Sequence, residues 1–348
     1  MASSDSAIPV VLATAALCVV LAMMVGHVPH PSISQTPVCS LSPVIDSLYA
    51  SQVQNRVHAP GAFHYMDFTG ASLYTERQLD DITRLLSTGV YGNPHSKSAS
   101  SRLSTGHVDD VRHKLYQYFR ADPEEYVIVF TRSATGALTL LGEAFPFSPN
   151  STYAYTVSNH NSVLGIRSYA QKSGARVSAL REEEVEQWLS SEGDEGDEGD
   201  EGDEGDGSSG ALNLFAFPAK DNFAGVLYPL EWIDKVHDKG DDWLVLLDTA
   251  AYAPTYRIDL SAVKPDFLVV SFYKMFGLPS GVGCWIMKRS AEAKLRRTYW
   301  GGSSVFTATP GHDGKPWQVR FEGAAKWEDG TLPFLEIASL QAGFDACM

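Results

Sequence analysis

The 348-residue sequence lacks the cysteine patterns of a metal site or a disulfide framework. Its four cysteines, Cys18, Cys39, Cys284 and Cys347, include no CxxC pair, so neither a zinc site nor a set of disulfides is indicated. Cys284 follows Gly-Val-Gly at the start of an apolar run and is expected to be a small buried residue. We therefore predict no metal ligand among these side chains.

The sequence also lacks an excess of basic residues. It has 27 Lys and Arg residues against 42 Asp and Glu residues, and ten of these carboxylates lie in the repeat EGDEGDEGDEGDEGD at 192–206. The remaining 32 acidic residues leave a net charge of −5, and no basic surface suggests nucleic acid. Because the repeat has no apolar side chain to bury, 191–210 is predicted to be a disordered acidic insertion. Its three-residue spacing does not match a calcium loop.

Charge is missing from the nineteen residues between Ile8 and Gly26. This length is close to that of a bilayer span and exceeds the apolar core of a typical signal peptide. No Lys or Arg precedes the stretch to set an orientation. Residues 1–30 are therefore predicted to be a membrane anchor or a cleaved signal, followed by a linker at 31–60. If the stretch instead reflects a wrong gene start, a cytoplasmic protein is expected.

From residue 61 onward, short apolar runs alternate with helical patterns. The runs predicted as strands are YVIVF (126–130), TYAYTV (152–157), LNLFAF (around 212–216), WLVLLD (243–248), DFLVVSF (266–272) and CWIMK (284–288). Helices are predicted between them, including SVLGIRSYAQKSG, which ends at Gly174. This alternation is typical of an α/β fold with a mainly parallel sheet and helices on both faces.

Small polar residues follow the first of these strands. The segment 131–136, Thr-Arg-Ser-Ala-Thr-Gly, opens a helix, where backbone N–H groups can approach an anion. The P-loop pattern GxxxxGK[ST] is absent, and Ser and Thr also cap helices that bind nothing. We interpret the segment as a candidate phosphate site.

Chemically useful side chains follow the other predicted strands. They are His160, Asn222, Asp248, Ser271 and Lys274. A lone lysine in an apolar setting commonly extends its ammonium group to water, and His160 alone could simply begin a helix. A buried lysine, however, has a lowered pKa and can act as a nucleophile. Ligands bind outside the carboxyl ends of such strands. Pyridoxal phosphate requires a phosphate site, a partner for its ring, an acid for the ring nitrogen and a lysine for its aldehyde, and these side chains together with the candidate phosphate site match that set.

Several longer motifs resemble the class V aminotransferase and cysteine desulfurase group, and in particular the N-terminal part of the molybdenum cofactor sulfurases. They include YMDFTGASLY (65–74), VYGNPHSKSASS (90–101), NHNSVLGIRSYA (159–170), SFYKMFGLPSGVG (271–283) and TYWGGSSV (298–305). The resemblance covers about 61–345 and implies the large domain of a fold-type I pyridoxal phosphate enzyme with a mainly parallel seven-stranded sheet.

The resemblance also implies a role for each site residue. Lys274 would form the Schiff base and be the catalytic residue, Asp248 would pair with the pyridine nitrogen, and His160 would stack on the ring. Asn222 would lie by the ring hydroxyl, and Ala134, Thr135 and Ser271 would hold the phosphate. The implied partners are L-cysteine, molybdenum cofactor as the acceptor of its sulfur, and a second copy of the chain.

The sequence departs from the sulfurase pattern at several positions. Phe68 replaces a common histidine, Arg132 and Ser133 replace a Ser-Gly pair, and Ala251 replaces a glutamine found in many desulfurases. The persulfide cysteine, a substrate-binding arginine and the molybdenum cofactor domain are expected beyond Met348, so the small C-terminal domain is expected to be incomplete. Two alternatives stay open: another class V lyase or aminotransferase, and a non-catalytic, membrane-tethered homologue.

Overall fold

Seven strands form one sheet in the computed structural model, which describes residues 65–191, 210–312 and 314–347. The strands are β1 Tyr126–Thr131, β2 Thr152–Thr156, β3 Arg176–Leu180, β4 Asn213–Pro218, β5 Trp243–Asp248, β6 Phe267–Ser271 and β7 Gly283–Lys288. Their order is β1-β7-β6-β5-β4-β2-β3, and β7 alone runs antiparallel to its neighbours. The carboxyl ends of the other six strands therefore lie at one edge.

Helices precede, connect and follow these strands along the chain. They are α1 Glu76–Thr88, α2 Ala99–Tyr118, α3 Ala134–Ala144, α4 Asn161–Leu164, α5 Arg167–Lys172, α6 Glu182–Ser190, α7 Trp232–His237, α8 Phe272–Phe276, α9 Arg289–Glu292 and α10 Phe334–Cys347, with a 3-10 helix at Gly323–Lys326. A separate two-stranded hairpin consists of β8 Val305–Ala308 and β9 Gln318–Arg320.

Both faces of the sheet are covered by helices. Alternate strand residues such as Ile128 and Val245 pack with α2, α7 and α10 in one core cluster. Their neighbours, such as Val129 and Leu246, pack with α3 and α5 in a second cluster. This arrangement explains why the strands consist of continuous apolar runs rather than alternating ones. The predicted α/β fold with a mainly parallel seven-stranded sheet is confirmed.

The region after β2 differs from the single helix that its sequence predicts. It forms two short helices, α4 and α5, that meet at Gly165 and Ile166. The amide of Ile166 donates to Val163 O and that of Tyr169 donates to Ile166 O, so the chain tightens to three-residue turns at this point. The strand β3 and the hairpin β8–β9 were not predicted.

A buried ion pair covers the outer edge of β1. Glu328 accepts two hydrogen bonds from the Arg112 guanidinium, at 2.9 and 3.0 Å, and one of 2.7 Å from the amide of Phe130. Arg112 also lies over the Phe130 ring, 4.6 Å from its centroid. The candidate phosphate site directly follows β1, so the ion pair and its hydrogen bond to Phe130 hold in place the strand that supports this site.

The described residues include no helix that is long and apolar enough to cross a membrane. The apolar stretch Ile8–Gly26, the linker at 31–60 and the acidic repeat at 192–206 lie outside the described residues. The predictions made for them stay predictions.

Candidate active site

The side chains that follow the parallel strands surround one pocket at the carboxyl edge of the sheet. The turns after β1, β2, β4, β5 and β6 all contribute to it. All seven residues predicted from the sequence line this pocket, namely Ala134, Thr135, His160, Asn222, Asp248, Ser271 and Lys274. The structure thus brings the complete predicted set together, while the role of each residue toward a ligand stays a prediction.

The candidate phosphate site is the first turn of α3. Ser133 is the N-cap residue, and its hydroxyl accepts from the Gly136 amide at 3.2 Å. The amide of Ala134 donates to Ser271 Oγ at 3.1 Å, which joins the start of α3 to the end of β6. The Thr135 amide lies in the same turn, where N–H groups have no intrahelical acceptor. This turn therefore offers an amide and several hydroxyl groups to an anion.

Close packing at this turn requires glycine at the start of β7. A Cβ atom on Gly283 would lie 2.5 Å from Val270 O and 2.7 Å from the carbonyl carbon of Ser133. Backbone atoms at that distance cannot move aside without displacing β6 or α3. Gly283 consequently allows the reversed strand to pass directly behind the candidate phosphate site.

The imidazole of His160 is held in place by its own helix. Its Nδ1 atom accepts from the amide of Ser162 at 3.2 Å, so the ring caps α4. The Ser162 hydroxyl lies 3.1 Å from the same nitrogen and 2.8 Å from Thr135 Oγ1. A chain of side chains therefore connects the ring of His160 to the first turn of α3.

Asp248 is a buried carboxylate at the end of β5, with 6% of its surface exposed. Its Oδ1 atom accepts from the Ala250 amide at 2.9 Å, and within the described residues it forms no ion pair with Lys or Arg. Burial raises the pKa of Asp248, while the Ala250 amide, His160 and Lys274 act in the opposite direction. A buried carboxylate of this kind calls for a cationic partner.

Lys274 projects from the short helix α8 and is 8% exposed. Its Nζ atom donates to Asn222 Oδ1 at 2.6 Å. Burial lowers the pKa of the Lys274 ammonium, against the raising effect of Asp248 and Asp67. The surroundings of Lys274 therefore favour its neutral amine more than water would.

Residues 65–74, which we call the strap, hold the backbone of α8. The hydroxyl of Ser72 donates to Lys274 O at 2.5 Å, and its amide donates to Tyr273 O at 3.3 Å. At the end of α8, Gly277 has a φ of +75° and a Cβ there would lie 2.5 Å from Ser72 O. The strap thus rests directly on the helix that carries Lys274.

The sequence reasoning missed Ser162 and Lys220 as polar residues of the pocket. Ser162 links His160 to Thr135, and Lys220 lines the pocket from the turn after β4. Ser162 lies within the motif HNSVLGIR, and that motif could have identified it as a site residue. Lys220 lies in the turn Pro-Ala-Lys-Asp-Asn, where a lysine is usually solvent-exposed.

The pocket fits pyridoxal phosphate on chemical grounds. The buried carboxylate of Asp248 lacks a cation, which the protonated pyridine nitrogen would supply. The first turn of α3 offers donors to a phosphate group, and Lys274 offers an amine to an aldehyde. In the described parts of the chain, no cluster of His, Cys, Asp or Glu is arranged to hold a metal ion.

Comparison with known proteins gives a family for the chain. Residues 64–348 match the model of the family described as aminotransferase class-V. The chain is 38% identical over 304 residues to molybdenum cofactor sulfurase of Oryza sativa subsp. japonica, covering 80% of this chain and 37% of that protein. It is 35% identical over 294 residues to the Homo sapiens protein of the same name, covering 81% and 32%. The chain thus spans about a third of the length of these relatives.

Solved structures share the fold at lower sequence identity. A cysteine desulfurase from Thermococcus onnurineus NA1 superposes with a TM-score of 0.70 at 18% identity, over 86% of this chain and 70% of that one. A C-DES variant with glycine covalently linked to its PLP cofactor has a TM-score of 0.65 at 19% identity, over 84% and 73%. With the family match and the fitting pocket, these findings show that the chain belongs to the class-V aminotransferase family of pyridoxal phosphate enzymes.

Proposed function

We propose that this chain binds pyridoxal phosphate at Lys274 and takes sulfur from L-cysteine in the manner of a cysteine desulfurase. We further propose, as in the molybdenum cofactor sulfurases that it resembles, that the sulfur is destined for molybdenum cofactor. The observation that carries the proposal is that one pocket contains both the buried Lys274 and the buried Asp248, whose carboxylate has no Lys or Arg partner among the described residues.

The chain's own residues divide the work as follows. Bound pyridoxal phosphate supplies an electron sink for negative charge that develops on an amino acid. Asp248 would keep the pyridine nitrogen protonated, and the first turn of α3 would hold the phosphate. His160 would lie against the ring. Lys274, whose pKa burial lowers, would hold the cofactor and carry protons at Nζ, with Asn222 Oδ1 orienting that atom.

Sulfur transfer also requires an accessible thiolate. Cys284 lies fully buried in β7, and burial raises the pKa of its thiol. It is therefore unsuited to carry sulfur. Cys18 and Cys39 lie outside the described residues, as does the side chain of Cys347. We propose that any sulfur transfer by this chain depends on a thiol other than that of Cys284.

The test uses the purified chain with added pyridoxal phosphate. We expect a visible absorption band that is lost in Lys274→Ala, because the band would come from cofactor joined through its aldehyde to the Lys274 amine. Alanine and sulfide formation from L-cysteine is then followed with and without reductant, in the wild type and in Cys347→Ala. A colourless wild type contradicts the proposal. A coloured protein that acts on another amino acid favours the alternative class V lyase or aminotransferase.

We also propose that the chain forms a homodimer. Support comes from the hairpin β8–β9, which exposes Phe306 (72%) and Trp317 (52%), with Val319 and Phe321 beside them. Exposed apolar groups of this size are typical of interaction surfaces. Light scattering should give the mass of a dimer for the wild type and of a monomer for a Phe306→Ser/Trp317→Ser double variant.

A further inference from the structure

Gln78 is a buried side chain that joins two helices of the chain. It is the third residue of α1 and is 5% exposed. Its Oε1 atom accepts from the Thr75 amide at 2.8 Å, and its own amide donates to Thr75 Oγ1 at 3.1 Å. Its Nε2 atom donates to Phe276 O, the last carbonyl of α8, at 3.2 Å. One carboxamide therefore serves both the start of α1 and the end of α8.

The cap on α1 does not by itself require glutamine. A threonine followed three residues later by Glu or Gln forms this capping box equally well, because only an acceptor atom of the longer side chain is used. The Nε2 donor belongs to glutamine, whereas an ionised glutamate can only accept. The bond to Phe276 O, 198 positions away, is therefore the part of the arrangement that requires glutamine.

The helix that receives this bond depends on contacts from outside itself. α8 has only five residues, and the last four carbonyls of a helix lack intrahelical partners. Tyr273 O accepts from the Ser72 amide at 3.3 Å, and Lys274 O accepts from the Ser72 hydroxyl at 2.5 Å. Gln78 adds the bond to Phe276 O. The strap and α1 thus hold the carboxyl end of α8 through its carbonyl groups.

Apolar packing also holds α8, on the side that faces α10. The parallel rings of Phe272 and Phe276 lie with their centroids 6.1 and 4.9 Å from that of Phe344. Apolar contacts are non-directional, so they fix the depth of α8 in the core more firmly than its rotation. Hydrogen bonds are directional, and the rotation of α8 decides where Lys274 Nζ lies relative to Asn222 Oδ1, now 2.6 Å away.

We propose that Gln78 is a positioning residue that sets the orientation of α8 and so places Lys274 Nζ where it can join the cofactor aldehyde. This inference rests on the proposed function, because it presumes that pyridoxal phosphate occupies the pocket. Gln78 does not line that pocket, so it acts through α8 and does not touch the cofactor. Its loss should weaken the bond between cofactor and lysine while leaving the sites for the phosphate and the ring intact.

The experiment separates the two roles of Gln78 with three variants of the full chain. Gln78→Glu keeps the acceptor of the capping box and lacks the donor to Phe276 O. Gln78→Met also lacks that donor but introduces no charge into the buried site. Thr75→Val is the matched control, since it removes the Oγ1 acceptor of the capping box and leaves both bonds of the Gln78 carboxamide in place.

Each protein is titrated with pyridoxal phosphate, followed by its visible band, and with pyridoxine phosphate, followed by protein fluorescence. Pyridoxine phosphate has an alcohol in place of the aldehyde, so it occupies the pocket without joining Lys274. The ratio of the two affinities therefore reports the bond to the lysine, whereas general damage to the pocket lowers both affinities together. Urea unfolding of each variant measures its stability separately.

We expect Gln78→Glu and Gln78→Met to bind pyridoxal phosphate about 2- to 10-fold more weakly, the range for losing one hydrogen bond, with little change for pyridoxine phosphate. Thr75→Val should lose stability toward urea and keep the wild-type ratio of affinities. An unchanged ratio in Gln78→Met, including an equal or complete loss of both ligands, would overturn the inference, as would the same selective loss in Thr75→Val. A wild type without a visible band instead refutes the proposed function, and this is seen before any variant is compared.

Discussion

The contact between the strap and α8 predicts a large difference between two glycine substitutions. Gly277 and Gly281 have nearly the same backbone φ, +75° and +77°, and lie in the same loop region. A Cβ on Gly277 would meet Ser72 O at 2.5 Å and Tyr74 N at 2.6 Å, whereas a Cβ on Gly281 would meet nothing within 4 Å. Gly281→Ala is therefore a control that places alanine at a similar positive φ without the clash.

The magnitudes follow from these distances. Alanine at such a φ costs about 1–2 kcal/mol, and this is the whole expected loss for Gly281→Ala. In Gly277→Ala the strap must also move, because the clashing atoms are backbone. That movement breaks the two hydrogen bonds from Ser72 to α8, each worth about 0.5–1.5 kcal/mol. Gly277→Ala should thus lose about 2–5 kcal/mol of stability.

The assay is urea unfolding of both variants without cofactor, followed by titration with pyridoxal phosphate. We expect a lower unfolding midpoint for Gly277→Ala than for Gly281→Ala, at similar m-values. We also expect weaker cofactor binding in Gly277→Ala only, since Lys274 O loses its partner. Equal midpoints in the two variants would refute the reasoning, because the strap would then not rest on Gly277.

Two further predictions concern buried carboxylates. Without cofactor, Asp248→Asn should be more stable than the wild type at neutral pH, because burial raises the pKa of Asp248 and the folded wild type must bury a charge. This advantage in the free energy of unfolding should vanish as the pH falls below the ordinary aspartate pKa of about 3.9. Urea unfolding at several pH values tests this, and an advantage that does not change with pH would contradict it. Glu328→Gln should lose about 2–4 kcal/mol of stability, since it leaves the guanidinium of Arg112 unpaired in a largely buried site. Glu125→Gln is the control, because Glu125 forms an exposed pair with Lys264, and it should lose less than about 1 kcal/mol. Similar losses in the two variants would show that the buried pair contributes no more to stability than the exposed one.

Much of the fold and the pocket could be predicted because the carboxyl ends of parallel strands lie at the same edge of the sheet. The apolar runs around 126–130 and 243–248 predicted β1 and β5, and the parallel arrangement then placed His160, Asp248 and Lys274 at one edge. The residue at the end of each strand can be read directly from the sequence, so this prediction required no knowledge of how the helices pack.

Other features could not be predicted because they depend on distant contacts. Ser72 and Lys274 are 202 positions apart, and Arg112 and Glu328 are 216 apart, so no local pattern signals either pair. The apolar run of β7 does not encode its direction, and its reversal became visible only in the register with β1 and β6. Lys220 was missed because sequence does not reveal whether a turn lysine points into a cavity.

The cover over β1 has a consequence for how the domain can be cut. β1 is an edge strand whose residues are nevertheless all buried, and Glu328 and Trp327 from the segment after the 3-10 helix lie against it or its neighbours. An uncovered, apolar edge strand offers free amides that pair with other chains. A fragment that ends before residue 323 should therefore self-associate through β1 and collect in the insoluble fraction, even though every strand of the sheet would be present.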